Sequence, residues 1–116
     1  MAILYWKVKA YLEANSKTEA EFNNIKLRND GSGDYIHTWN VSGLSKPTDS
    51  QLTSADTQAT KDQNNYVIRK TRKKSYGDIG DQLDLLYKDI VANKLDTTGE
   101  WAKKIKAVKD ANAKEE

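Results

Sequence analysis

The stretch LRNDGSGDYIHTWN, Leu27 to Asn40, holds the residues best suited to chemistry: Asp30 and Asp34 around Gly31, Ser32 and Gly33, then His37, the only histidine. An EF-hand calcium loop needs about five oxygen ligands over about twelve residues and a closing bidentate Glu. Here Asp30, Ser32 and Asp34 alternate, Tyr35 and Ile36 follow, and no late Glu stands in register. A phosphate cradle is weaker still, because GSG is followed by no lysine and opens no helix. A triad or metal site needs more than one group beside the histidine, and spacing offers His37 none. Asp78, Asp81, Asp84 and Asp89 fall mostly opposite an apolar helix face, where a solvated face and N-terminal capping account for them. No nucleophile, base and orienter set emerges. The expectation is a protein that is not an enzyme, with no cofactor and no metal.

The sharpest charge feature is RKTRKK. Residues 1–68 carry seven basic and eight acidic groups, residues 69–74 carry five basic ones, and residues 75–116 carry seven basic and nine acidic. The basicity is one short block. Phosphate contact with nucleic acid is one reading of it. A solvated helix C-terminus, where cations suit the dipole, or an acidic patch on a protein partner ranks higher, because sustained basicity is missing.

These residues need elements to position them. Ile3, Leu4, Val8, Tyr11 and Leu12 recur at helical spacing and predict a helix over Ile3 to Glu13, with Asn15 and Ser16 as stop residues. The KTEAEFNN segment reads as a connector. Two strands follow, Ile25 to Arg28 and Tyr35 to Val41, joined through NDGSGD as a hairpin. Strict alternation assigns Tyr35, His37, Trp39 and Val41 to one face and Ile36, Thr38 and Asn40 to the other. A two-stranded hairpin is marginal alone, so the first helix is expected to cover it, and its outer edges are open to a partner's strand.

Thr48-x-x-Gln51 matches a capping box, opening a long helix from about Asp49 to Lys73. Its seam of Leu52, Ala55 and Ala59 is weak, so it is expected to project or to lean on a partner. Ile79, Leu83, Leu86, Tyr87, Ile90 and Val91 make one broad apolar face on the next helix. Thr97-x-x-Glu100 is a second capping-box candidate, and Trp101, Ile105 and Val108 follow at i, i+4, i+7. Those two helices read as an αα-hairpin. The DANAKEE tail is polar and expected to fray.

The fold class is therefore α+β and elongated: an N-terminal helix plus a two-stranded antiparallel β-hairpin over 1–46, a connecting polar helix with a basic end over 47–75, and a C-terminal helical hairpin with a frayed tail over 76–116. Charged residues make up 31% of the 116 and hydrophobic ones 37%. That is a lean core, although ten aromatics argue against disorder. The absence of cysteine excludes disulfide frameworks and zinc ribbons. No run of about 18 apolar residues is available to span a membrane, and the N-terminus lacks the pattern of a signal peptide. Trp6, Trp39 and Trp101 are expected as core anchors, or as interface anchors where exposed.

Two stretches resemble known families. FNNIKLRNDGSGDYIHTWN, continued by LSKPTDSQL, resembles the short N-terminal module of small bacteriophage tail-region proteins of the XkdW type: a strand, an NDG turn, a Tyr-Ile strand and a Trp-Asn pair, then a Pro-Thr helix start. SYGDIGDQLDLLYKDI followed by WAKKIKAVKD resembles a C-terminal module of small phage tail and tail-fibre-associated proteins. Together they cover roughly residues 22–52 and 75–110; the first helix and RKTRKK lie outside the pattern. The resemblance implies a virion structural or adaptor protein of the tail, baseplate or tail-fibre attachment region. It would be assembled in the host cytoplasm and act by protein–protein contacts with other phage structural proteins, in multiple symmetric copies and away from membranes. A tail-fibre assembly chaperone is the alternative, and a nucleic-acid-binding module a more distant one. The residues expected to meet partners are Tyr35, His37, Trp39, Tyr66, Arg69, Lys70, Arg72, Lys73, Lys74, Tyr87 and Trp101.

Overall fold

The computed structural model describes residues 1–116. The order of elements is α1 (Leu4–Ala14), a 3-10 helix (Glu19–Asn24), β1 (Ile25–Asn29), β2 (Asp34–Trp39), α2 (Asp49–Tyr76), α3 (Ile79–Val91) and α4 (Glu100–Ala111). The fold is α+β, with one two-stranded antiparallel sheet. The chain divides into two compact units, Met1–Gln63 and Asn64–Glu116. The helix expected to connect two modules, α2, contributes its first half to one unit and its second half to the other.

In the first unit, Val8 and Leu12 of α1 are fully buried among Ile25, Ile36 and Val41, with Leu4, Phe22, Leu27, Trp39, Leu44 and Leu52 closing around them. The helix ends where Ser16 takes a left-handed conformation at φ 61°. The Ser16 amide then bonds the Glu13 carbonyl and the Lys17 amide bonds the Leu12 carbonyl, the two bonds of a Schellman motif. The connector is itself ordered: Thr18 caps the 3-10 helix by accepting from the Ala20 amide, and Phe22 stacks on Tyr5 at 4.7 Å.

The hairpin forms where expected, but not with strict alternation. Its register runs Lys26↔Thr38 and then Leu27↔Ile36, which leaves His37 as an extra residue in β2. A β-bulge of this kind shifts the two-residue period by one. Ile36 and Val41 are therefore both buried, although their parity differs, while Tyr35 and His37 are exposed. The face sharing of Tyr35, His37, Trp39 and Val41 is thus corrected: the bulge turns Ile36 inward and Tyr35 and His37 outward.

The first half of α2 does not project. The capping box forms in both directions, Thr48 N–H to Gln51 Oε1 at 2.9 Å and Gln51 N–H to Thr48 Oγ1 at 3.2 Å. Leu52 joins the main core. Ala59 is fully buried against Ala2 and Ala10, with Trp6 and Ala55 alongside. Small side chains fill this seam, so it closes without large apolar groups. Polar pairs tie the same segments together: the Ala2 amide donates to Asp56 Oδ1 and the Ile3 amide to Gln63 Oε1, each at 2.9 Å.

The Asp56 carboxyl is held below its usual range, first by the Ala2 amide. Desolvation opposes this, and the Met1 amine, Lys7 and Thr60 add to it. A carboxyl whose folded pKa is depressed contributes stability above its unfolded pKa, about 3.9, and loses it as pH falls through the folded value. Asp56→Asn should therefore lower stability at neutral pH and flatten the loss of stability below about pH 4. Circular dichroism against urea at several pH values reads this; parallel acid limbs in the two proteins would exclude the linkage.

Candidate interaction surfaces

The NDGSGD segment is a self-satisfied turn. Gly31 and Gly33 take φ of 105° and 102°, which only glycine adopts freely. Asn29 accepts from the Gly31 amide and donates from Nδ2 to Asp34. The Tyr35 hydroxyl donates to Asp30. Each carboxylate thus serves a neighbour in the turn, and no group of three or more His, Asp or Glu side chains gathers in a metal-binding arrangement anywhere in the chain. The His37 ring has the Tyr35 ring as its aromatic neighbour, at 6.4 Å.

Trp39 is half-buried beside Tyr11, with its indole N–H donating to the Leu44 carbonyl at 2.8 Å. It anchors the segment that follows β2, and the Tyr11 hydroxyl adds a second tie, to the Ser45 carbonyl. Between the second half of α1 and the first half of α2 lies an open groove of about 600 Å³. Ala10, Ala14 and Ala55 line its apolar part, and Glu13, Asp62, Gln51 and Gln58 its polar part.

In the second unit the basic block is not uniformly free. Arg72 is half-buried, and its guanidinium donates to the Asn112 carbonyl at 2.8 Å and the Lys109 carbonyl at 3.3 Å. These belong to the C-terminal end of α4, where orphan carbonyls and the helix dipole both favour a cation. Lys70 lies over the Tyr66 ring at 4.9 Å. Arg69, Lys73 and Lys74 are exposed. The tail is also tied down, contrary to expectation: Asn65 and Glu115 exchange a pair of hydrogen bonds at 2.8 and 2.7 Å, and Asn64 donates to the Glu115 carboxylate. Asn65, Ile68, Arg72 and Tyr76 form the half-buried stripe of this part of α2.

The helical hairpin is set by Asp89. Its carboxylate is 4% exposed and accepts from the amides of Glu100 and Trp101, both at 2.9 Å, which are the first two of α4. Its backbone carbonyl accepts the Lys94 amide at 2.8 Å, closing a Schellman motif around left-handed Asn93. One residue thus ends α3 and starts α4. The expected Thr97-x-x-Glu100 box does not form, because the Glu100 amide it needs is held by Asp89, while Asp96 accepts from the Thr98 amide and hydroxyl. Those two bonds hold the Asp96 carboxyl below its usual range. The reading of Asp89 as part of a solvated face is likewise corrected, whereas Asp78 does cap α3, through the Gly80 amide. The approach leaves no room at Gly99, where a Cβ would lie 2.5 Å from the Lys94 carbonyl and 2.6 Å from the Asp89 carboxylate.

This clasp decides which side of α3 faces α4. Gln82, Leu85 and Leu86 share the Asp89 side and are half-buried; Trp101, Ile105 and Val108 of α4 are half-buried too. The broad apolar face expected to pack is instead turned outward. Ile79 is 67% exposed, Leu83 56%, Tyr87 65%, Ile90 51% and Val91 69%. Only Leu86 of that set is partly covered. Of the eleven residues expected to meet partners, Tyr35, His37 and Trp39 lie in the first unit and the rest in the second. Sequence reasoning missed most of the α3 face as a surface, because an apolar stripe reads the same whether it is covered or open.

Comparison of the chain with protein-family models, curated proteins and solved structures finds no match.

Two substitutions test the clasp and the tie from α2. Asp89→Ala should expose the Glu100 and Trp101 amides to exchange by roughly 5–150-fold, the equivalent of about 1–3 kcal/mol for buried donors left unpaired. Gly99→Ala should act in the same direction. Hydrogen exchange by NMR measures both. Arg72→Ala should cost about 1–2 kcal/mol, whereas Lys73→Ala should stay within about 0.5 kcal/mol. Equal effects on thermal unfolding would refute the division within the basic block.

Proposed function

We propose that this protein is a non-enzymatic structural adaptor of a bacteriophage virion, bound in the tail, baseplate or tail-fibre attachment region and acting through protein–protein contacts. The resemblance of residues 22–52 and 75–110 to phage tail-region modules supplies the setting. The observation that carries the adaptor reading is that each compact unit has an exposed surface of a kind that suits recognition. The first has a two-stranded sheet whose strands each keep one edge without a strand partner, flanked by exposed Tyr35 and His37. The second has the open face of α3. Edges of this kind accept an added strand, and apolar helix faces accept a groove or another helix. The side chains best suited to chemistry are otherwise engaged, with Asp30 and Asp34 holding a turn and Asp89 capping a helix, which favours contact over catalysis.

Mass spectrometry of purified virions tests the reading. The protein should be present in the particle at a stoichiometry matching a tail or baseplate ring and should remain after a salt wash. Absence from washed particles that carry complete tails would refute it.

A further inference from the structure

The face of α3 has a geometry of its own that does not depend on the virion reading. Ile79, Leu83, Tyr87 and Val91 form one unbroken i, i+4 ridge, every member more than half exposed, with Ile90 beside it. Together these five side chains leave on the order of 600 Å² of surface in water, at the upper end of the largest patch on a typical monomer. A standard interface buries about 800 Å² on each partner, so this face supplies most of one side. A row of i±4 side chains packs best into the groove beside an identical row, the commonest way two helices interdigitate.

We propose that this face is a self-association surface, on which a second copy of the chain packs its own α3 antiparallel about a two-fold axis. The charges favour this occupant and this direction. The exposed set is centred near Leu86, and Asp84 and Lys88 flank it on one rim, two residues to either side of that centre. In an antiparallel two-fold pair the same rim of each helix meets, with its order reversed. Asp84 of each copy then lies against Lys88 of the other, giving two reciprocal ion pairs. Both residues are exposed, and neither is in an ion pair within its own chain. The acidic start of α3, Asp78 and Asp81, would meet the partner's Lys94 end, whereas a parallel pair would bring the acidic ends together.

Sedimentation equilibrium on the full chain tests this. The wild type should reach a dimer in the micromolar range, as expected of a face this size. Leu83→Glu should weaken the dimer at least about tenfold, with unchanged circular dichroism because the residue is exposed in the monomer. Asp84→Lys and Lys88→Asp should each weaken it about fivefold or more, and the double variant should recover most of the loss. A wild type that remains monomeric at about 200 µM, far above a micromolar Kd, would overturn the proposal and leave the face to a different protein. A dimer that survives Leu83→Glu, or charge reversals whose effects add without recovery, would overturn it equally.

Discussion

The carboxylate of Asp89 is the constraint on which the second unit turns. It is almost fully buried and meets two helix-opening amides, an arrangement in which a charged acceptor is both satisfied and favoured by the α4 dipole. Because the side chain is short, the start of α4 must come to it, and Gly99 is the residue that allows the approach. A helix has only one way to point a given residue inward. Once Asp89 faces α4, Gln82, Leu85 and Leu86 face it too, and the ridge from Ile79 to Val91 faces water. The exposed apolar surface is therefore a consequence of a polar contact that outranks it locally.

The first unit solves the same shortage of apolar side chains differently. A few aliphatic residues around Val8 and Leu12 make a small core, and its reach is extended by two devices. The bulge at His37 brings Ile36 and Val41 to the same side of the hairpin. The alanines at 2, 10 and 59 make a second small buried cluster, with Trp6 and Ala55 alongside. Amide-to-side-chain bonds from Ala2 and Ile3 and the indole bond of Trp39 then fasten the ends of the segments. Hydrogen bonds at the margins of elements thus supplement the small core of this unit.

Local patterns were readable in the sequence where the signal and its partner sit within a few residues. The first helix, expected over Ile3 to Glu13 and found over Leu4–Ala14, its stop at Asn15 and Ser16, the reciprocal Thr48–Gln51 box, the Asp78 cap, the glycine turn and the αα-hairpin are all of this kind. The candidate surface was legible only in fragments. Tyr87 is among the residues expected to meet partners, but the apolar stripe on which it lies reads as part of the helical hairpin. Arg72 was indistinguishable from its lysine neighbours, because its role depends on carbonyls 37 and 40 residues away.

The sequence by itself determined the α-helices and strands, most of their ends and the α+β class, though not the 3-10 helix Glu19–Asn24, since these follow from side-chain period, capping chemistry and backbone preference over one or two turns. Tertiary structure alone decided which faces are covered. Parity in β2 was reset by one extra residue, the cap of α4 came from another helix and not from Thr97, and the polar tail folded back to Asn64 and Asn65. The physical reason is common to all three. Hydrophobic period and capping patterns are local, whereas each of these outcomes depends on a partner outside the one or two turns that such a pattern covers.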